Sequence, residues 1–164
     1  MVSTLKQVKF RFFEILPILL LFFIALNGIS IINIKFFSVN IHYILVYYWV
    51  LRKPQNLGYG FIFLSGIISD VMLGAPLGIN ALSLLIVAAV AAYVRVVTVR
   101  ITLRNDWISF IPALLFANLV YFFSLYFSDL SVDYLYLFKN SVFTFICYPV
   151  LWGLFSLIAN LTKS

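Results

Sequence analysis

The sequence predicts an all-α membrane protein of six transmembrane helices, and three observations carry that prediction. Apolar residues make up 65% of the 164-residue chain and charged residues only 10%, with a mean hydropathy of +1.12. Soluble domains are nearer half apolar and a quarter charged. The apolar residues fall into six runs, and because a span needs about 20 residues, those runs consume nearly the whole chain as one integral membrane domain. The third observation is where the cations fall. With the N-terminus inside, Lys6, Lys9, Arg11, Arg52, Lys53, Arg95, Arg100, Arg104 and Lys163 lie on the cytoplasmic side. Only Lys35 and Lys139 lie outside, where Asp129 and Asp133 also fall. Nine of eleven cations on one side is the positive-inside asymmetry of an N-in, C-in topology. The net charge of +6 therefore reports orientation, not a nucleic-acid partner.

Residues 2–13 place Lys6, Lys9 and Arg11 among Leu5, Val8, Phe10, Phe12 and Phe13, a basic lead-in suited to the surface of a leaflet. No Ala-x-Ala cleavage pattern follows, so it reads as an uncleaved anchor. Span 1 is expected over 15–34, with Pro17 in the first turn, where a missing N–H costs little. Span 2 is expected over 36–51, at about 24 Å short for a crossing. Its inner end, Tyr47-Tyr48-Trp49 and then Arg52-Lys53-Pro54, has the order of an interface anchor: rings at headgroup depth, cations, and a proline that ends the helix.

Spans 3 and 4 are expected over 57–74 and 77–95. Between spans 4 and 5, Val97 to Arg104 alternates apolar and polar residues as a strand would. A lone strand cannot pair its backbone at a membrane surface, so a helical extension is expected, with Arg95, Arg100 and Arg104 reaching headgroups. Span 5 is expected over 107–127 with Asn105 or Asp106 as N-cap. Span 6 covers 140–160, kinked at Pro149.

Candidate chemistry centres on Asp70, a carboxylate inside an otherwise apolar run. At helical spacing, Gly66, Asp70 and Gly74 share a face, flanked by Ser65 and Ser69. That face suits close approach of a neighbouring helix. A turn, Gly74-Ala75-Pro76-Leu77-Gly78, follows, and span 4 starts with its free N–H groups and Asn80 close by. Asp70 can therefore accept backbone bonds from residues 78–80 or the Asn80 amide, avoiding the roughly 2.5–3.5 kcal/mol cost of an unpaired acid at mid-bilayer. A clasp between spans 3 and 4 competes with an ion, proton or substrate ligand. The clasp is favoured because its partners are local, whereas His42 and Glu14, the other titratable candidates for a relay, fall at the ends of spans 2 and 1.

Gly74 and Gly78 spell GxxxG, but Pro76 between them argues against helix dimerisation. His42 reads as an interfacial histidine, since a metal site needs several donors. The single cysteine, Cys147, permits no intrachain disulfide. Ser141, Thr144, Tyr148, Trp152 and Ser156 stripe span 6, and Asn118, Tyr121 and Ser124 mark span 5. These suit hydrogen bonds inside a bundle and equally the lining of a solute cavity. No P-loop, HExxH, GxSxG or CxxC occurs, so neither catalysis, a cofactor nor a metal is expected.

The stretch Tyr48 to Leu82 resembles the rod shape-determining protein MreD family. The resemblance rests on Tyr48-Trp49, Arg52 and Pro54, then Gly66, Asp70, Gly74, Pro76-Leu77-Gly78 and Leu82, in order and spacing. It implies a non-enzymatic, multi-pass component of the bacterial inner membrane that supports peptidoglycan synthesis and cell shape. The implied partners are MreC and, through it, the MreB filament and the RodA glycosyltransferase with its penicillin-binding transpeptidase. The family is similar in fold to the substrate-binding subunits of energy-coupling-factor vitamin transporters, which makes a vitamin-capture subunit the rival. Those subunits dock through small residues in helix 1, commonly Ala-x-x-x-Ala, and span 1 has only Ala25.

Overall fold

The computed structural model describes residues 15–34, 37–98, 102–129 and 133–161. Helix α1 is Ile15–Leu26. A hairpin follows, β1 Ile31–Ile34 and β2 Phe37–Asn40, and then α2 Ile41–Arg52, a 3₁₀ turn at Pro54–Asn56, and α3 Tyr59–Leu73. Three long helices complete the chain: α4 Ile79–Val97, α5 Leu103–Phe127 and α6 Tyr134–Leu161. Those three are long and apolar enough to cross a membrane, and α1 and α3 are shorter apolar helices.

The chain is mostly helical, as expected, but the hairpin corrects the expectation of helical spans over 15–34 and 36–51. Helix α1 stops at Leu26, and residues 31–34 pair antiparallel with 37–40, Ile31 opposite Asn40 and Ile34 opposite Phe37. Ile31, Ile32, Ile34 and Val39 are β-branched, which favours a pleated surface over a helix. Two short strands also supply each other with the backbone partners that one strand alone would lack. Side chains settle the remainder. Asn40 N–H donates to Thr144 Oγ1 of α6 at 2.9 Å, Asn140 Nδ2 donates to Ser38 Oγ at 2.7 Å, and Ile41 N–H closes the neck onto Ser30 O at 3.1 Å.

Asn40 also starts α2, its Oδ1 accepting Tyr43 N–H at 3.0 Å, an N-cap bond. Twelve residues make α2 about 18 Å long, too short to cross a bilayer by itself. Every residue from His42 to Leu51 is buried, so α2 is the axial core of the molecule. Its aromatic C-terminal end belongs to that core, not to an interface: Tyr47, Tyr48 and Trp49 are at most 1% exposed. Tyr47 packs on Phe110 and Tyr148, and Tyr48 on Phe155. His42 is likewise buried rather than interfacial.

Helices α5 and α6 start earlier than expected, and α4 is shifted two residues later. Thr102, not Asn105 or Asp106, caps α5, its side chain accepting Asn105 N–H at 3.4 Å. The helical extension expected between spans 4 and 5 is real only in part. Arg95 falls in the last turn of α4 and Arg104 in the first turn of α5, but Thr98 and Thr102 are extended. Arg100 lies outside the described residues, as does the basic lead-in over 2–13. Pro149 sits inside α6 and Pro112 inside α5. The polar residues of α6 face inward: Ser141 accepts from Asn118 Nδ2 at 2.7 Å, Thr144 meets the hairpin, and Tyr148 stacks on Phe110.

The packing of these elements defines two ends. The N-terminus of α2, the α3–α4 turn and the start of α6 lie at one end. The C-terminus of α2 meets the first turn of α5 at the other, where α4 also ends. Among the described residues this second end carries Arg52, Lys53, Arg95 and Arg104 with a single acid, Asp106.

Candidate functional site: two buried carboxylates

Helix α3 buries Ile62, Ser65, Gly66, Ser69 and Asp70, two interleaved rows (62, 66, 70 and 65, 69) at four-residue spacing on a single face. Gly66 is where that face touches α4. A Cβ built there would lie 2.6 Å from Ala81 N and 2.9 Å from Ala81 Cβ, and closer still to Ala81 Cα. Only glycine permits this approach, which brings Asp70, one turn further on, against the start of α4.

Helix α3 ends with Gly74 at φ 65°, a conformation glycine adopts without steric cost. Gly74 N–H donates to Val71 O at 3.3 Å and Ala75 N–H to Asp70 O at 2.9 Å, the paired bonds of a Schellman ending. Pro76 and Leu77 carry the chain to Gly78 at φ 101°, the N-cap residue of α4. Glycine has no side chain with which to cap, and Asp70 fills that role from the preceding helix. Its Oδ1 accepts Asn80 N–H and Asn80 Nδ2–H, both at 2.9 Å, and its Oδ2 accepts Gly78 N–H at 2.7 Å. The carboxylate is fully buried at the positive end of the α4 dipole. Gly74 and Gly78 are thus turn residues; their spacing serves the clasp.

Beside the clasp runs a buried polar string. Ser30 Oγ lies 3.0 Å from Ser69 Oγ, which lies 3.4 Å from His42 Nδ1. It ties the base of the hairpin to α3 and α2. Among the described residues no group of three metal-binding side chains is gathered anywhere.

The second buried carboxylate is Asp106, 1% exposed, at the basic end. Its Oδ2 accepts Arg52 Nη2 at 2.9 Å and Trp152 Nε1 at 3.0 Å. The Arg52 guanidinium is flanked by two rings, its Cζ 5.7 Å from the Tyr48 centroid and 5.1 Å from that of Trp152. Cation–π attraction and a charge-assisted bond therefore hold the same group. Arg52 binds a carboxylate within the protein as well as facing the end of the bundle, a role the reading as a headgroup anchor overlooked. Pro54 opens the 3₁₀ turn that follows α2.

The expected site residues form two groups. Gly66, Asp70, Gly74, Pro76, Gly78 and Asn80 come together at the α3–α4 junction. Trp49, Arg52 and Pro54 stand at the other end of α2 and do not join them. Sequence reasoning offered Asp106 only as a candidate N-cap of span 5. The signal available for its role was that it is the only acid near the cation-rich segments apart from Glu14. Two open apolar grooves flank Pro112 on α5, one lined by Leu119, Phe122 and Leu137, the other by Val90, Tyr93 and Ile108. Neither is lined by a charged side chain.

No protein-family model matches this chain, and neither does any curated protein or solved structure.

Proposed function

We propose that the chain is a non-enzymatic scaffold of the bacterial cell-elongation machinery, seated in the inner membrane with its basic end toward the cytoplasm. In this reading it spans the membrane as one domain and binds MreC. Through MreC it supports the MreB filament, RodA and the penicillin-binding transpeptidase in building peptidoglycan and keeping cell shape.

The observation that carries the reading is the use to which Asp70 is put. An acid in an apolar chain is the first candidate for chemistry. Here three of the roughly four lone-pair sites of the carboxylate are occupied by donors from residues 78 and 80. A group so occupied holds two helices in register rather than binding a substrate. Gly66, Gly74, Gly78 and Asn80 build the same junction, and these are residues on which the resemblance to the MreD family rests or which sit among them. Arg52, the resembling residue at the opposite end, is likewise engaged with Asp106. A protein whose charged interior is spent on fixing geometry suits a partner-binding role.

Depletion in a rod-shaped host tests the reading. The expected outcome is a fall in cell length-to-width ratio toward that of a sphere within a few generations. Unchanged rods, with saturable high-affinity binding of a vitamin to the purified protein, would instead assign it to a transporter as its capture subunit.

A further inference from the structure

The turn between α3 and α4 carries no polar side chain. From Val71 to Ile79 the sequence reads Val-Met-Leu-Gly-Ala-Pro-Leu-Gly-Ile, whereas turns that face water draw on asparagine, aspartate and serine beside glycine and proline. Val71, Met72, Leu73 and Leu77 are exposed, Leu77 by 70%. The connection between α5 and α6, at the same end of the bundle, is of the other kind, with Ser128, Asp129 and Asp133. The backbone of the α3–α4 turn also makes little demand on water. The N–H groups of Gly74, Ala75 and Ile79 donate to carbonyls within it, and those of Gly78 and Asn80 donate to Asp70. Pro76 has no N–H, so only that of Leu77 stays open. Internal satisfaction of this kind is what non-helical backbone requires at membrane depth.

Height along the bundle places the turn low, by two routes. At the basic end, exposed Arg95 of α4 and exposed Arg104 of α5 mark one headgroup layer. From Arg95 back to Gly78 α4 rises about 26 Å, and from Arg104 to Tyr126 α5 rises about 33 Å. Tyr126, Phe127 and Tyr134 are exposed rings, the belt that marks the other headgroup layer of a hydrocarbon core about 30 Å thick. Measured along the helices, the turn stops about 7 Å short of that belt. The second route starts from hydrogen bonds that level α3 with α6. Ser69 Oγ lies 3.0 Å from Ser30 Oγ, Ile41 N–H donates to Ser30 O at 3.1 Å, and the adjoining Asn40 N–H donates to Thr144 Oγ1 at 2.9 Å. Beyond that level α3 has five residues to Gly74, about 7 Å, and α6 has ten to Tyr134, about 15 Å. The shortfall is again about 8 Å. Water filling such a notch would face four exposed apolar side chains, whereas acyl chains would cover them without that cost.

We propose that the α3–α4 turn lies beneath the headgroups of the leaflet opposite the basic end, covered by lipid acyl chains, and that the bilayer dips to meet it at this corner. A short apolar face beside longer helices is accommodated by local thinning of this kind. The Asp70 clasp then stands at the depth of the hydrocarbon, where no water is at hand to replace a lost acceptor. The proposal rests on the membrane seating of the reading above and on none of its partners.

The test uses the full chain carrying Cys147→Ala, reconstituted in phosphatidylcholine vesicles, with Leu77→Cys, Ser128→Cys or Leu115→Cys added singly and labelled with bimane. Quenching by nitroxides on the lipid headgroup and on the acyl chain reads the depth of each label, whichever way the protein inserts. Position 77 is expected about 7 Å deeper than position 128, and position 115, midway along α5, deepest of the three. Met72→Cys, in the last turn of α3, repeats the reading should Leu77→Cys fail to fold. Equal depths at 77 and 128 overturn the proposal. So does a label at 77 that is open to water in vesicles and shielded only in host membranes, which assigns the turn to a protein partner. A label at 115 beyond the reach of acyl-chain nitroxides overturns the membrane seating itself, and the proposal with it.

Discussion

Replacing Asp70 by alanine removes the acceptor for three bonds at once. Gly78 N–H is partly buried and regains some solvation, but Asn80, 6% exposed, keeps its N–H and amide in the interior. Hydrogen bonds to a charged group are worth about 1.5–3 kcal/mol each, and an orphaned buried donor costs about 1–3 kcal/mol. With one donor rehydrated, Asp70→Ala should cost about 3–6 kcal/mol, a large part of a typical folding free energy of about 5–15 kcal/mol. Asp70→Asn keeps one oxygen for Asn80 and turns an amide against Gly78 N–H, so its cost should be about half as large. The assay is unfolding in mixed detergent micelles with rising dodecyl sulfate, followed by tryptophan fluorescence. Asn80→Ala in both backgrounds completes the cycle. A coupling of about 1 kcal/mol or more between positions 70 and 80 is expected, because they share two bonds. An Asp70→Ala protein within about 0.5 kcal/mol of wild type, the range of an ordinary surface change, would refute the clasp.

Other perturbations test the remaining contacts by the same assay. Gly66→Ala should destabilise by about 1–3 kcal/mol, and Ala81→Gly should not rescue it, because the obstructing atoms include the Ala81 backbone. Arg52→Gln should cost more than Asp106→Asn, since the first strands a 1% exposed carboxylate and the second leaves an arginine whose side chain is 28% exposed. We expect about 3 kcal/mol for the first, and equal losses would contradict this account of the pair. Tyr148→Phe removes a buried hydroxyl that has no partner among the described residues while keeping the ring stack on Phe110. It should be neutral or stabilising by up to about 1 kcal/mol, and a loss above that would show an undetected partner for the hydroxyl.

What could be read from the residues depended on how local each interaction is. The Asp70 junction was visible because its partners lie eight to ten positions away, within one helix ending, one turn and one helix start. Gly66 at four residues before Asp70 announced the shared face, though not that Ala81 would meet it. The hairpin was not visible, because an apolar run of four to eight residues fits a buried strand and a helix alike. The β-branched content of 31–34 was the signal that should have decided it, with a pairing partner, 37–40, starting only three residues after it. Asn40 and Asn140 were equally unreadable, since their partners Thr144 and Ser38 are more than a hundred residues distant. The aromatic residues Tyr47 to Trp49 illustrate a different failure. Rings followed by cations have the order of an interface anchor, yet twelve residues of α2 lie at the centre of the bundle, where rings fill volume. Asp106 was read only as a candidate N-cap, since its partner, Arg52, is 54 positions away and reads as part of an interface anchor.

The proposal that most needs a direct answer is that the protein binds MreC. The tagged full chain, extracted from the membranes of its own host in mild detergent, should retain MreC through a high-salt wash. The Asp70→Ala chain, recovered in equal amount, should retain several-fold less. Absence of MreC from the wild-type preparation, or equal retention by wild type and Asp70→Ala, would contradict the account of a scaffold whose shape is held by the α3–α4 clasp.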